Sequence, residues 1–201
     1  MDNAALIDRL FDVIEHDIVP LTRQGVAAGN KIFGAAILRK ADLSLVIAAT
    51  NNETENPLWH GEMHALKLLY ERERASLPDP GDCLFFATHE PCSLCLSAIT
   101  WGGYDNFYYL FSHEDSRDSF AIPHDIRIIR EVFDTGSEPD RPLYNRENAF
   151  WTSHSVPRMI ASLDRGNRER LLGRMDDIGA LYADLSARYQ QAKGGKGIPF
   201  A

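Results

Sequence analysis

Between residues 3 and 19 the apolar positions Leu6, Leu10, Val13, Ile14 and Ile18 recur at three- and four-residue spacing, the period of a helix with one buried face. Pro20, Gly25, Gly29 and Asn30 are expected to end that helix and form a loop. Two short apolar runs follow, 32–39 and 43–49, joined by Lys40-Ala41-Asp42, and that spacing predicts a hairpin. After a polar loop from Asn51 to Pro57, helix formers dominate from Trp59 to about Arg74, with Leu66, Leu69 and Tyr70 as the apolar face. The breaker Leu77 to Gly81 precedes a buried-type strand from Cys83 to Thr88, and Pro91 then opens a helix running to about Trp101. Phe107 to Phe111 reads as the next strand and Ile126 to Ile129 as the last. Helices alternating with strands in this order predict an α/β sandwich around one mixed sheet. The pattern changes beyond Thr135. Gly136 to Pro142 reads as a turn-rich linker, 146–163 and 168–190 as extra C-terminal helices, and Lys193 to Gly197 as a fraying tail. The division expected is 1–135 as the principal domain and 136–201 as a helical extension packed on it.

Composition narrows the classes. A chain of 201 residues with 44% hydrophobic and 25% charged residues suits one globular domain. Its net charge of −8 weighs against a nucleic acid partner, whose affinity comes mainly from Lys and Arg neutralising phosphates. No apolar segment approaches a membrane span, and the start, with Asp2 and an amphipathic pattern, is unlike a secretory signal. Three cysteines, two of them as Cys-x-x-Cys, argue for a reducing compartment, so the expected location is the cytoplasm.

The chemistry concentrates in two stretches, His60-Gly61-Glu62 and Pro91-Cys92-Ser93-Leu94-Cys95. They supply one imidazole, two thiols and a carboxylate. Structural zinc takes four Cys or His ligands, whereas catalytic zinc keeps three and leaves a place for water. Cys92 and Cys95, three apart at a helix start, share a face and meet the positive end of the macrodipole, which favours thiolates. With His60 they make a three-ligand set for one Zn2+ per chain, which would bring its water's pKa from about 16 towards 7. Glu62 is the expected catalytic residue, a carboxylate beside the metal that can take the proton of that water. On a regular helix, residues two apart point about 160° from each other. His60 and Glu62 must therefore sit at an irregular helix entrance, or their side chains must curl around it. The rival H-E-x-x-H protease motif, through His60 and His64, needs Glu where Gly61 stands. Cys83, mid-strand, reads as core.

The pattern H-x-E…P-C-x-x-C is that of zinc-dependent base deaminases, and from about Ile32 to about Phe120 the chain resembles the cytidine deaminase-like superfamily. The resemblance implies a three-layer α-β-α sandwich around a mixed five-stranded sheet. It implies a base-lining role for Phe33 in Phe33-Gly34-Ala35 and a substrate contact from Asn51 or Asn52. His60-Gly61-Glu62 is similar to fungal-type cytosine deaminases. Ala98-Ile99-Thr100-Trp101, Glu114-Asp115 and Asp118-Ser119-Phe120 resemble bacterial guanine deaminases, which implies Trp101 near a purine and Asp115 or Asp118, best Asp118, reading its N–H edge. Tyr144 to Trp151 and His154 either cap the pocket or pack in the core. The activity implied is hydrolytic removal of an amino group from a free base, guanine or a related aminopurine or triazine before cytosine or a nucleoside, in a homodimer. A tRNA adenosine deaminase would need a basic groove, and the acidic balance of the chain argues against it, although Arg residues cluster from Arg165 to Arg174. An inactive zinc scaffold has no use for Glu62.

Overall fold

The computed structural model describes residues 2–135, 142–193, 198 and 200. The expected linker, apart from Pro142, and the tail beyond Lys193 lie outside the described residues.

Helix α1 (Asn3–Val13) starts on Asp2, whose carboxylate accepts from the Ala4 amide. It does not stop at Pro20. One wide turn of π-helix, Ile14–Ile18, carries it directly into α2 (Val19–Ala28), and Pro20 stands in the first turn of α2. A proline, which offers no N–H and crowds the preceding turn, is accommodated inside a continuous helix by the wide turn just before it. The true stop is Gly29, whose φ of 103° is the left-handed conformation glycine adopts without strain.

The sheet has the order β2-β1-β3-β4-β5. Strands β1 (Gly34–Arg39) and β2 (Leu45–Thr50) form the antiparallel hairpin, and β1 also pairs antiparallel with β3 (Cys83–His89). Strands β3, β4 (Asn106–Phe111) and β5 (Thr152–Ser155) run parallel. Helix α3 (Gly61–Tyr70) lies between β2 and β3 in the chain, and α4 (Ser93–Trp101) between β3 and β4. After β4 come α5 (His113–Asp118), α6 (His124–Phe133), β5, α7 (Val156–Ala161) and α8 (Arg165–Ala192).

Alternation along the strands divides the core in two. Ala35, Ile37, Cys83, Phe85, Phe107 and Tyr109 face α3 and α4, meeting Ala65, Leu66, Leu69 and Ile99. Ala36, Leu38, Leu84, Phe86 and Leu110 face the opposite layer, where Leu10, Ile14, Ile160, Ile178 and Tyr182 come from α1, the π turn, α7 and α8. The result is a three-layer sandwich. Every residue of β3 is buried, as expected of a central strand covered on both faces.

The fifth strand is not where the apolar pattern placed it. Residues 126–129 belong to α6, with Ile126 and Ile129 buried one turn apart. The Ile126/Ile128 alternation mimics a strand, but only the i, i+3 pair is buried. Strand β5 is Thr-Ser-His-Ser at the sheet edge, half-buried throughout, so it carries no apolar run. It also occupies part of the stretch 146–163 expected to be helical. The C-terminal helix is anchored where Ser186 and Gln190 both donate to the Phe120 carbonyl at 3.0 Å. Among the described residues no helix is long and apolar enough to cross a membrane.

Candidate active site

Helices α3 and α4 begin at the same region of the sheet, and each starts on a metal-ligating residue. His60 is the N-cap of α3 with extended backbone (φ −62°, ψ 163°), and Cys92 is the N-cap of α4 (φ −68°, ψ 172°). This resolves the geometry of His60 and Glu62: the first lies just outside the helix, the second in its first turn. Gly61 is required between them. A Cβ there would sit 2.8 Å from the Gly34 Cα, so only glycine lets α3 press this closely on β1. Asn51 secures the same turn, its side-chain oxygen accepting from the Gly61 amide at 2.6 Å while its NH2 donates to Glu53 at 3.0 Å.

The His60 Nδ1 stands 3.4 Å from the Cys92 Sγ and 3.8 Å from the Cys95 Sγ, and the three ligand atoms all lie within 4.8 Å of one another. Tetrahedral zinc, about 2.3 Å from sulfur and about 2.0 Å from nitrogen, needs N···S separations of about 3.5 Å. The set fits. Glu62, 5% exposed, accepts from the Cys95 thiol at 3.4 Å. Electrostatics also suit a cation. Burial would lower the His60 pKa, but hydrogen bonding to Cys92 and the nearby acidic groups raise it to about 9. Cys92 is drawn well below the usual thiol value by hydrogen bonds from Cys95 and His60. Burial and the neighbouring Cys92 charge push Cys95 well above it. A metal replaces the protons these groups otherwise share. Burial, with the Cys92 charge, raises Glu62 to about 7.

His60 and Cys92 open on a cavity of about 290 Å³. Phe33, Leu58 and Ile122 give it apolar walls, and Lys31, Glu53 and Asp125 add charge. Phe33 lines the cavity. Asn51 lies behind it, and Asn52 instead donates to Glu55 at 2.7 Å on the surface of the loop. Trp101 does not reach it. It ends the helix that Cys92 begins, roughly 13 Å further along the axis, and is 92% exposed. Nor do the two aspartates. Asp115 completes a capping box with Ser112 at the start of α5, and Asp118 is an exposed partner of Arg117 at 2.6 Å.

Several contributors gave no sequence signal. Burial, then the Cys92 charge, pushes the carboxyl of Asp125 up to about 6. Lys31 and Glu53 form a buried ion pair at 2.7 Å. Behind the cysteine turn, Glu90 accepts from the Tyr144 hydroxyl and the His113 amide and pairs with Arg146 at 3.0 Å, while a His113 ring nitrogen meets the Pro91 carbonyl at 3.1 Å. Tyr144 therefore braces that turn. Trp151 packs on Phe107 and donates to Thr100, and His154 stacks on Tyr108, so both are packing residues.

Residues 16–111 match the family described as cytidine and deoxycytidylate deaminase zinc-binding region. The chain is 31% identical over 129 residues to a guanine deaminase of Bacillus subtilis, covering 63% of this chain and 79% of that one. A solved guanine deaminase structure from Bacillus subtilis superposes with a TM-score of 0.50 at 24% identity, over 74% of this chain and 88% of the other. One from Nitrosomonas europaea gives 0.47 at 18% identity, over 81% of each chain. Identity at the level of the curated relative, over most of its length, shows kinship as well as shape: the chain belongs to the cytidine deaminase-like superfamily, as a zinc-dependent hydrolytic deaminase.

Proposed function

We propose that the substrate is guanine or a related aminopurine or triazine, taken as the free base. The observation that carries this is the cavity of about 290 Å³ with His60 and Cys92 in its wall, which suits one small planar molecule between apolar faces. His60, Cys92 and Cys95 would hold zinc, whose presence would acidify water and supply a nucleophile near neutral pH. The chain's own residues do the rest. Phe33 and Ile122 cover the ring and exclude water. Glu62, held beside Cys95, carries protons to the ring nitrogen and the departing amine. Gly61 and Asn51 fix the turn from which both His60 and Glu62 project.

The net charge of −8 supports a small-molecule substrate over tRNA. We place the enzyme in the cytoplasm as a homodimer. Exposed Trp101 on α4, with Val132 and Phe133 on α6, supplies apolar surface for such contact. Residues 1–135 would carry the catalytic machinery, and the stretch expected as an added helical extension instead completes the same domain through β5, α7 and α8.

Ammonia release from guanine, cytosine, adenosine and a tRNA, measured with the zinc-loaded protein, tests the proposal. Guanine is expected to be turned over at least tenfold more efficiently than the others. A preference for tRNA or a nucleoside would refute it.

A further inference from the structure

Lys31 stands in the cavity wall, in the short connection between α2 and β1, with its side chain 8% exposed. An ammonium has three donors. One goes to the Glu53 Oε1 at 2.7 Å, and among the described residues nothing else accepts from it. Glu53 is more fully engaged, since it also accepts from the Lys31 amide at 3.1 Å and the Asn51 amide at 3.0 Å. The pair therefore cancels its charge and leaves two Lys31 donors unused in a sheltered place. Holding the wall is not reason enough for such a pair, because apolar residues of similar size do that at no electrostatic cost. With the charge already answered by Glu53, the site has no call for an anion such as a phosphate. What it lacks is neutral acceptors.

We infer that Lys31 is a specificity-determining residue that donates to O6 and N7 of guanine, the edge opposite the amino-bearing C2. The inference rests on the guanine reading above. O6 and N7 are adjacent acceptors, and Lys or Arg on that pair is the commonest specific contact to guanine in DNA. A base with C2 towards His60 and Cys92 turns this edge away from the metal ligands, and Lys31 lines the same cavity. In 2,6-diaminopurine an amino group replaces O6, so donor meets donor. In 7-deazaguanine O6 stays and a C–H replaces N7. A buried donor left facing that C–H has lost water without replacement, which is how a site built for a hydrogen bond rejects the analogue lacking it.

The test is the dissociation constant of guanine and of 7-deazaguanine on zinc-loaded Glu62→Ala, where no turnover intervenes. 7-Deazaguanine should bind about 10- to 100-fold more weakly, the range of a hydrogen bond to a charged group. Adding Lys31→Met and Glu53→Gln together removes the ammonium without stranding a carboxylate. The two ligands should then bind within about twofold of each other, the error of additivity between independent changes. A Lys31 that only shaped the wall would weaken both ligands alike and leave their ratio untouched. Equal affinities in Glu62→Ala, or a preference that survives Lys31→Met with Glu53→Gln, would overturn the inference. Should the combined variant fold poorly, kcat/KM of the wild type for the two purines carries the test, with the same loss expected and equal values overturning it. Failure of the wild type to turn over guanine at all would instead refute the substrate reading and remove the inference with it.

Discussion

Arg174 on α8 meets Asp8, Asp12 and Glu15 at 3.0, 2.9 and 2.6 Å along α1 and the π turn; Lys31 meets Glu53 at 2.7 Å in the cavity wall. The separations are alike and the surroundings are not. The Arg174 side chain is 25% exposed and its partners 27–46%, whereas Lys31 and Glu53 are 8% and 2% exposed. Water screens the first cluster and has been removed from the second. At the surface, charges add a little to helix docking. Around the cavity each one must be answered by another group, as Lys31 and Glu53 answer each other. The same exclusion of water makes Glu62 useful, since a carboxyl in bulk solvent would stay ionised and carry no proton at neutral pH.

The largest effect expected from breaking this contrast is at Glu62. Glu62→Ala removes the proton carrier while leaving His60, Cys92 and Cys95 in place. Turnover should fall about 10²- to 10⁴-fold, the usual worth of a positioned acid–base group, with zinc content still close to one per chain by metal analysis. Full turnover in a folded, zinc-loaded variant would remove Glu62 from the chemistry.

Next is the buried ion pair. Lys31→Met strands the Glu53 carboxylate with only the Lys31 and Asn51 amides as donors, and should cost about 3–5 kcal/mol in urea unfolding. Adding Glu53→Gln should recover most of that loss, because the unpaired charge is gone while a neutral side-chain oxygen still accepts from the residue 31 and Asn51 amides. If the double variant is as unstable as the single, the pair acts through packing and the contrast with the surface cluster is misplaced.

Those two positions also mark what the sequence could disclose. The zinc ligands and Glu62 were legible because their chemistry is rare and their spacing is local to two helix starts. The sheet core was legible from β1 to β4 because buried strands read as continuous apolar runs. Strand β5 was not, since an edge strand of Thr, Ser and His looks like a loop. Reading 126–129 as a strand hid the first turn of α6 and, with it, Asp125. Lys31 and Glu53 are 22 residues apart in sequence and meet only through the hairpin and its following loop. Trp101 and Asp118 lie outside the cavity lining for the opposite reason. Their motifs are local, but whether such residues face a pocket or solvent is decided by tertiary placement.

The smallest effect should come from the exposed seam. Arg174→Ala removes an arginine that makes four hydrogen bonds to Asp8, Asp12 and Glu15 and lies over the Phe11 ring at 5.5 Å. Despite that count, the loss in urea unfolding should be about 1 kcal/mol or less, because exposed ion pairs average between zero and that value. Two opposing contributions keep it small. The aliphatic stem covers some apolar surface, so part of the loss is packing. Arg170 also pairs with Asp8, at 2.6 Å, and continues to neutralise it after the substitution. Raising salt to about 1 M contracts the screening length to about 3 Å and should shrink the difference between wild type and variant further. The Lys31→Met penalty should hardly respond to the same salt. A salt-insensitive loss of about 3 kcal/mol at Arg174, the size reserved for a buried pair, would show that this seam excludes water as the cavity wall does, and the distinction between the two regions would fail.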